Sequence, residues 1–154
     1  PCTLQINEFT VGVTATDIML HISTDETNAN LEPGSRMTRL AQHLLQQRSF
    51  YPLFPPPAAQ TMATNLDLAH MAEWSMPCQP DLLIVPSKLT TFAKKVMDKT
   101  LVVNPGILTR GSTGGTYAMM DVYPMKRDTL ENAGADIELE HGLPERIRVD
   151  IKRI

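Results

Sequence analysis

The stretch DLLIVPSKLTTFAKKVMDKTLVVNPG, Asp81 to Gly106, decides how the fold is read. Leu82 to Val85 is an unbroken apolar run bounded by Asp81 and Pro86, the pattern of a strand covered on both faces. Ser87 stands where a hydroxyl can cap a helix. Behind it Leu89, Phe92, Ala93, Val96 and Met97 recur at helical spacing, with Lys88, Lys94, Lys95 and Lys99 elsewhere on the same helix. Leu101 to Val103 is a further short strand, broken by Asn104-Pro105-Gly106. Strand, helix and strand in succession predict an α/β fold with a mixed sheet.

The flanking segments extend that reading. Leu4 and Ile6, then Phe9, Val11 and Val13, alternate around Asn7-Glu8, which predicts a β-hairpin with one buried face. Asp17 to Ile22 is expected as a short helical turn, and residues 23–34 (STDETNANLEPG) as a polar loop. Ser35 is placed to cap a helix whose stripe is Met37, Leu40, Ala41, Leu44 and Leu45, and that helix must end before Pro52. Residues 50–59 (FYPLFPPPAA) lack donors for helix or sheet and are expected to run extended along the surface or into a partner. Within residues 60–80, Leu66, Leu68, Met71 and Trp74 allow a short helix. Thr116 to Tyr123 is a strand, and RIRVDIKRI at the end is a strand with Ile147, Val149 and Ile151 on one face and charges on the other. Between them, residues 128–145 hold six acidic residues and no Lys or Arg, which predicts a solvated loop. No internal repeat is present.

Composition narrows the function. The chain has 154 residues, 42% hydrophobic and 20% charged, enough apolar content for one ordinary core and too little charge for wholesale disorder. A formal net charge of −3 supplies no global basic field for nucleic acid. Cys2 and Cys78 lie too far apart in sequence for a zinc finger or a disulfide framework, and two reduced thiols of a cytosolic or nuclear protein are expected. The longest uncharged stretch, Ser49 to Leu66, is interrupted by four prolines and cannot be a membrane helix. The chain starts at Pro1 without a methionine and is expected to be a piece of something longer.

Catalytic signatures are missing. No HExxH helix, Walker A loop or GxGxxG fingerprint occurs. The four histidines, His21, His43, His70 and His141, do not pair at a metal-ligand spacing, so surface or internally satisfied imidazoles are expected. The glycine-rich TRGSTGGTY, Thr109 to Tyr117, is either a phosphate-cradling nest or a turn entering a strand; no helix follows it, which favours the turn. Phe50, Tyr51 and Phe54 could stack bases, but Arg48 is their one nearby cation, and packing against the domain or a protein partner is favoured.

Several segments together resemble one family. PCTLQINEFTVGVTATDIMLHI resembles the opening hairpin and turn of the small B-subunits of replicative DNA polymerases. HLLQQRSFYPLFPPP (His43 to Pro57), PDLLIVPSKLTTFAKKV (Pro80 to Val96) and VVNPGILTRGSTGGTYAMMDV (Val102 to Val122) sharpen the likeness toward the B-subunits of DNA polymerase alpha, the primase-associated polymerase. Only residues 58–79 and 124–145 look like variable insertions, and loops 23–34 and 124–145 are expected to be variable or disordered.

The resemblance implies a calcineurin-like phosphoesterase fold, catalytically degraded, with mixed sheets flanked by helices. Residues 1–154 would be its C-terminal part, with an OB-fold and an N-terminal helical domain upstream. Active phosphoesterases of that superfamily place metal-binding histidines at two stations in this half. The first corresponds to Gln46 to Phe50, most narrowly Gln47 to Ser49, and the second to Val85-Pro86-Ser87-Lys88; neither contains a histidine. A two-metal site needs several converging N and O ligands, and a charged Lys88 or a proline supplies none.

The resemblance therefore implies no catalytic, cofactor-binding or metal-ligating residue here, and no cofactor. It implies a nuclear, non-enzymatic scaffold that holds the C-terminal region of the DNA polymerase alpha catalytic subunit and reaches the primase subunits through the complex. DNA contact would be weak or indirect, and no membrane is involved. An active metal-dependent phosphoesterase is the alternative. A nucleic-acid-binding module is a third reading, opposed by the acidic balance.

Overall fold

The structure, a computed structural model, describes residues 1–29, 35–57, 67–133 and 137–154. Its centre is a five-stranded mixed sheet in the order β1-β2-β3-β5-β4. The strands are β1 (Cys2–Ile6), β2 (Phe9–Val13), β3 (Leu82–Ile84), β4 (Phe92–Val96) and β5 (Thr100–Asn104). The three inner strands are mutually parallel: Val11 pairs with Leu82, and Leu82 with Leu101. The two edge strands are antiparallel to their neighbours. The fold is thus α/β with a mixed sheet, as the pattern predicts.

One long crossover from β2 to β3 carries α1 (Ile18–Asp25), α2 (Arg36–Gln47) and a 3-10 helix (Leu68–Trp74). Ile18, Met19 and Ile22 of α1 and Leu40, Ala41, Leu44 and Leu45 of α2 pack with Leu83, Val102, Phe92 and Val96 on one face of the sheet. The α2 stripe is the predicted one, with Met37 at its margin. Ser35 occupies the cap position but makes no side-chain cap bond. Asp17 does cap α1, its Oδ1 accepting from Leu20 N–H at 3.1 Å.

The opposite face of the sheet supports a two-stranded ribbon of β8 (Thr116–Val122) and β9 (Ile147–Arg153). Ala118, Met120, Ile147 and Val149 from the ribbon pack with Phe9, Val11, Leu82, Leu101, Val103 and Leu143. A small hairpin of β6 (Thr109–Arg110) and β7 (Thr113–Gly114) leads into β8. Gly111 at its tip has φ +60° with open space around it, so the glycine-rich stretch is a turn entering a strand.

Several expectations are corrected. The residues after Ser87 form no helix; Phe92–Val96 is an edge strand in a hairpin with β5. Phe92 and Val96 are four apart, a spacing that puts them on one face of a strand as readily as a helix. The hairpin closes through Met97 and Asp98, both with positive φ, and strand pairing outweighs the helical stripe. Ser87 Oγ still accepts from Leu89 N–H, at 3.1 Å, but the turn it builds is not continued into a helix.

Three surface expectations also change. The hairpin β1–β2 has its predicted register, yet only β2 is covered, leaving Leu4 and Ile6 46% and 52% exposed. Phe50 and Tyr51 do not run along the surface but join the main core. Phe50 fits because Gly12 has no side chain: a Cβ there would lie 3.3 Å from the Phe50 ring and 3.1 Å from Leu83. Segment 23–34, read as a loop, begins inside α1, which runs to Asp25; residues 30–34 lie outside the described residues.

Segment 124–145, expected as a solvated, variable or disordered loop, instead contains α3 (Arg127–Asn132), with no buried residue, and the start of α4 (Leu143–Arg146); residues 134–136 lie outside the described residues. Leu143 is 1% exposed because it fills the second core beneath the ribbon. The helix expected around Leu66 to Trp74 is a 3-10 helix without a buried residue; Leu66 itself lies outside the described residues.

Candidate functional site

In open α/β sheets ligands gather at the carboxyl ends of the parallel strands. Here those ends are Thr14 to Asp17 after β2, Val85 to Lys88 after β3, and Asn104 to Gly106 at the end of β5. The backbone of this edge is bound by two side chains. Asn104, fully buried, accepts at Oδ1 from Ser87 N–H and Gly106 N–H, both at 2.9 Å. Its Nδ2 donates to Leu89 O at 3.3 Å and Thr90 O at 3.1 Å. Asp17, besides capping α1, accepts at Oδ2 from Lys88 N–H at 2.8 Å. The stretch Pro86 to Lys88, expected to match a ligand station, is therefore a hydrogen-bonded seam. Its two available N–H groups are held by Asn104 and Asp17.

The other stretch, Gln46 to Phe50, sits at the end of α2. Arg48 adopts a left-handed C-cap, its N–H reaching Leu44 O and Leu45 O. Ser49 bridges to Ser75, Phe50 N–H donates to Trp74 O at 2.7 Å, and Met76 N–H donates to Arg48 O at 2.8 Å. Both stations thus serve as ties between separate stretches of backbone.

The histidines are dispersed. His21 Nδ1 lies 3.0 Å from the Tyr51 hydroxyl inside the core. His43 faces Glu26 at 3.7 Å, His70 pairs with Asp67, and His141 meets Asp81 at 3.0 Å. Among the described residues no group of three or more His, Cys, Asp or Glu is placed to hold a metal ion. Cys2 and Cys78 are both free and exposed. Among the described residues, no helix is long and apolar enough to cross a membrane.

What the surface does offer is an apolar groove of about 480 Å³ beside the α2 end. Tyr51, Leu53, Phe54, Leu68, Met71 and Trp74 line it, and Arg48 stands at its rim. Phe54 is 77% exposed, Met71 59% and Leu68 53%. Of the aromatic cluster singled out in the sequence, Phe50 and Tyr51 pack inward and Phe54 alone faces solvent. The role of Asn104 had no sequence signal beyond its place before Pro-Gly. That of Asp17 had one, a carboxylate opening an apolar run.

A buried carboxylate holds the helices together nearby. The Glu26 side chain is 3% exposed and bonded to Arg39 through Nε at 2.6 Å, with Arg36 and His43 close by. The hydrogen bond from Arg39 is the main reason its pKa lies below the ordinary carboxylate value, outweighing the opposing effect of burial.

Comparison with known proteins adds the following. Residues 1–94 match the family of DNA polymerase alpha/epsilon B-subunits. The DNA polymerase alpha B-subunit of Schizosaccharomyces pombe is 35% identical across the whole of this chain, which covers 26% of that protein. The Mus musculus protein of the same name is 39% identical over 78% of the chain and 19% of its own length. The Saccharomyces cerevisiae one is 28% identical over 98% of the chain and 26% of its own length. The chain thus spans about a quarter or less of the curated relatives it matches.

Proposed function

This chain belongs to the DNA polymerase alpha/epsilon B-subunit family, and from that membership we propose that it is part of a non-catalytic accessory subunit of the DNA polymerase alpha–primase complex. Its architecture is read as the C-terminal portion of a calcineurin-like phosphoesterase domain that has lost its chemistry. It holds the C-terminal region of the catalytic subunit during initiation of replication in the nucleus, and meets primase through the complex.

The observation that carries this reading is the strand-end seam. At the edge where an α/β enzyme would gather ligands, Asp17 and Asn104 spend their side chains on the backbone of Ser87, Lys88 and Gly106. Neither Pro86 nor a charged Lys88 can ligate a cation, and the first stretch offers Gln46-Gln47-Arg48-Ser49-Phe50. A site built this way holds loops rigid and activates no water. The exposed apolar groove at Phe54, Leu68 and Met71 offers a partner the kind of surface that interface cores use.

The test is co-purification of the full-length subunit with the catalytic subunit's C-terminal region. The expected result is a stable complex, weakened at least tenfold in Phe54→Asp/Met71→Asp with the fold intact. Failure of the wild-type subunit to bind that region would refute the reading. Metal-dependent phosphodiester hydrolysis that tracks with the subunit would favour the phosphoesterase alternative.

A further inference from the structure

We infer that the outward face of the β8–β9 ribbon is a binding surface for single-stranded nucleic acid. Charge is segregated along this chain. Residues 109–127 and 146–153 carry seven cationic residues and two carboxylates, within a chain whose net charge is −3. The global acidity thus hides a local basic region, and it is the local field that a polyanion meets.

The ribbon arranges this charge beside aromatic rings. Its inward side chains, Ala118, Met120, Ile147 and Val149, belong to the core. Strand alternation then turns Tyr117, Met119 and Asp121 outward on β8, and Arg148, Asp150 and Lys152 on β9. The register sets Tyr117 opposite Lys152 and Asp121 opposite Arg148. Tyr123, one residue past β8, follows the same alternation. Tyr117 is 38% exposed and Tyr123 54%. Tyr123 is held rigidly, its N–H donating to Arg146 O and its carbonyl accepting from the Arg146 guanidinium.

Of these cations Arg146 is bound to Glu8 at 3.0 Å, and most of the others are free to meet phosphate. Arg36, Arg39, Lys95 and Lys99, elsewhere in the chain, are each committed to a carboxylate. Arg148 is partly committed to Asp150 at 3.0 Å, and Asp121 adds a second negative charge to the face. In contrast Lys152 at one end of the ribbon, and Lys126 and Arg127 just past the other, make no ion pair among the described residues; nor does Arg110 in the hairpin leading into β8, whereas Arg153, opposite Thr116, belongs to the other face of the ribbon.

Aromatic faces flanked by unpaired cations on a sheet surface are the chemistry that stacks unpaired bases and tracks their backbone. Duplex DNA hides its base faces and would leave the tyrosines unused. A seven-residue strand is about 23 Å long, room for about four nucleotides, the low end of single-strand site sizes.

The experiment uses the full-length subunit, a fluorescein-labelled twelve-nucleotide oligo(dT) and a duplex of the same length, followed by anisotropy across a salt series. Tyr117→Ala/Tyr123→Ala should weaken oligo(dT) binding roughly tenfold or more without altering its salt dependence, while Tyr117→Phe/Tyr123→Phe should retain it. Arg127→Gln/Lys152→Gln should lower the slope of log K against log salt by about 1.4, at about 0.7 per phosphate contact on a single strand. Unchanged melting temperatures would show that the variants fold. Wild-type affinity in both the alanine and glutamine variants would overturn the assignment, as would tighter binding to the duplex. So would loss of the catalytic subunit in place of oligo(dT), since a protein would then be the occupant of this face.

Discussion

Replacing Asn104 by alanine isolates the seam that closes the strand ends. The wild-type side chain is fully buried and makes four hydrogen bonds, accepting from Ser87 N–H and Gly106 N–H and donating to Leu89 O and Thr90 O. Alanine removes all of them. Thr90 is exposed and its carbonyl can turn to water, so little is lost there. Ser87 is fully buried and Gly106 is buried too, so their N–H groups are orphaned. At about 1–3 kcal/mol for each unsatisfied buried donor, the expected cost is about 3 kcal/mol for the pair. That corresponds to about a hundredfold more frequent opening of the loop. Amide hydrogen exchange of the full-length subunit should show it as lost protection across residues 85–91 and 104–106, with β9 little affected. Asn104→Asp keeps the acceptor but sets a carboxylate against two carbonyls, so it should protect Ser87 and Gly106 while still loosening residues 89–90. Wild-type exchange at Ser87 and Gly106 in the alanine variant would refute the view that this one amide holds the edge shut.

Further expectations follow from the packing and the charges. Leu44→Ala and Phe92→Ala should each lower stability by about 2–5 kcal/mol in denaturant titration, since both lie in the core between helices and sheet; unchanged midpoints would contradict that placement. Leu143→Ala should destabilise similarly, whereas replacing residues 128–133 by Gly/Ser should cost little, as α3 has no buried side chain; thermal melts of the two variants separate the cases. Glu26 has a folded pKa below its ordinary 4.5, so its contribution is complete above that value and disappears as pH falls through the depressed one; an acid titration of stability should flatten there in Arg39→Ala. No manganese- or zinc-dependent hydrolysis of an aryl phosphodiester should accompany the purified full-length subunit, with a metal-stripped sample as reference.

Patterning revealed elements where one period alone fitted the residues. The α2 stripe and the strict alternation of Ile147, Val149 and Ile151 are of that kind, and both stand where the pattern put them. It failed at Phe92 and Val96, whose spacing satisfies both periods. The decision there belongs to β5, which pairs with β4 residue by residue from Phe92 to Val96. For Phe50 and Tyr51 packing against the domain was the favoured reading and holds, whereas the surface path that the flanking prolines suggested does not, because the pocket above Gly12 is a tertiary feature invisible in a linear string. The seam at Asn104 was equally hidden, because one buried amide bridging two loops leaves no periodic trace. Charge segregation in the ribbon was written in the sequence throughout, but only the register of β8 and β9 places Lys152 beside Tyr117.

The crossover between β2 and β3 has a consequence in time. Thr10 receives its hydrogen-bond partner Asp81 from 71 residues further along the chain. At about 5–20 residues per second of synthesis, β2 waits roughly 4–14 seconds on the ribosome for its neighbour to emerge. During that interval Phe9 and Val11 have neither sheet nor ribbon to cover them, and β1 gives them only one paired edge. The nascent chain therefore passes through a window in which the apolar face of the hairpin is uncovered. Slowing translation between residues 14 and 81 should lengthen that window and divert more of the subunit to aggregation before the sheet can close.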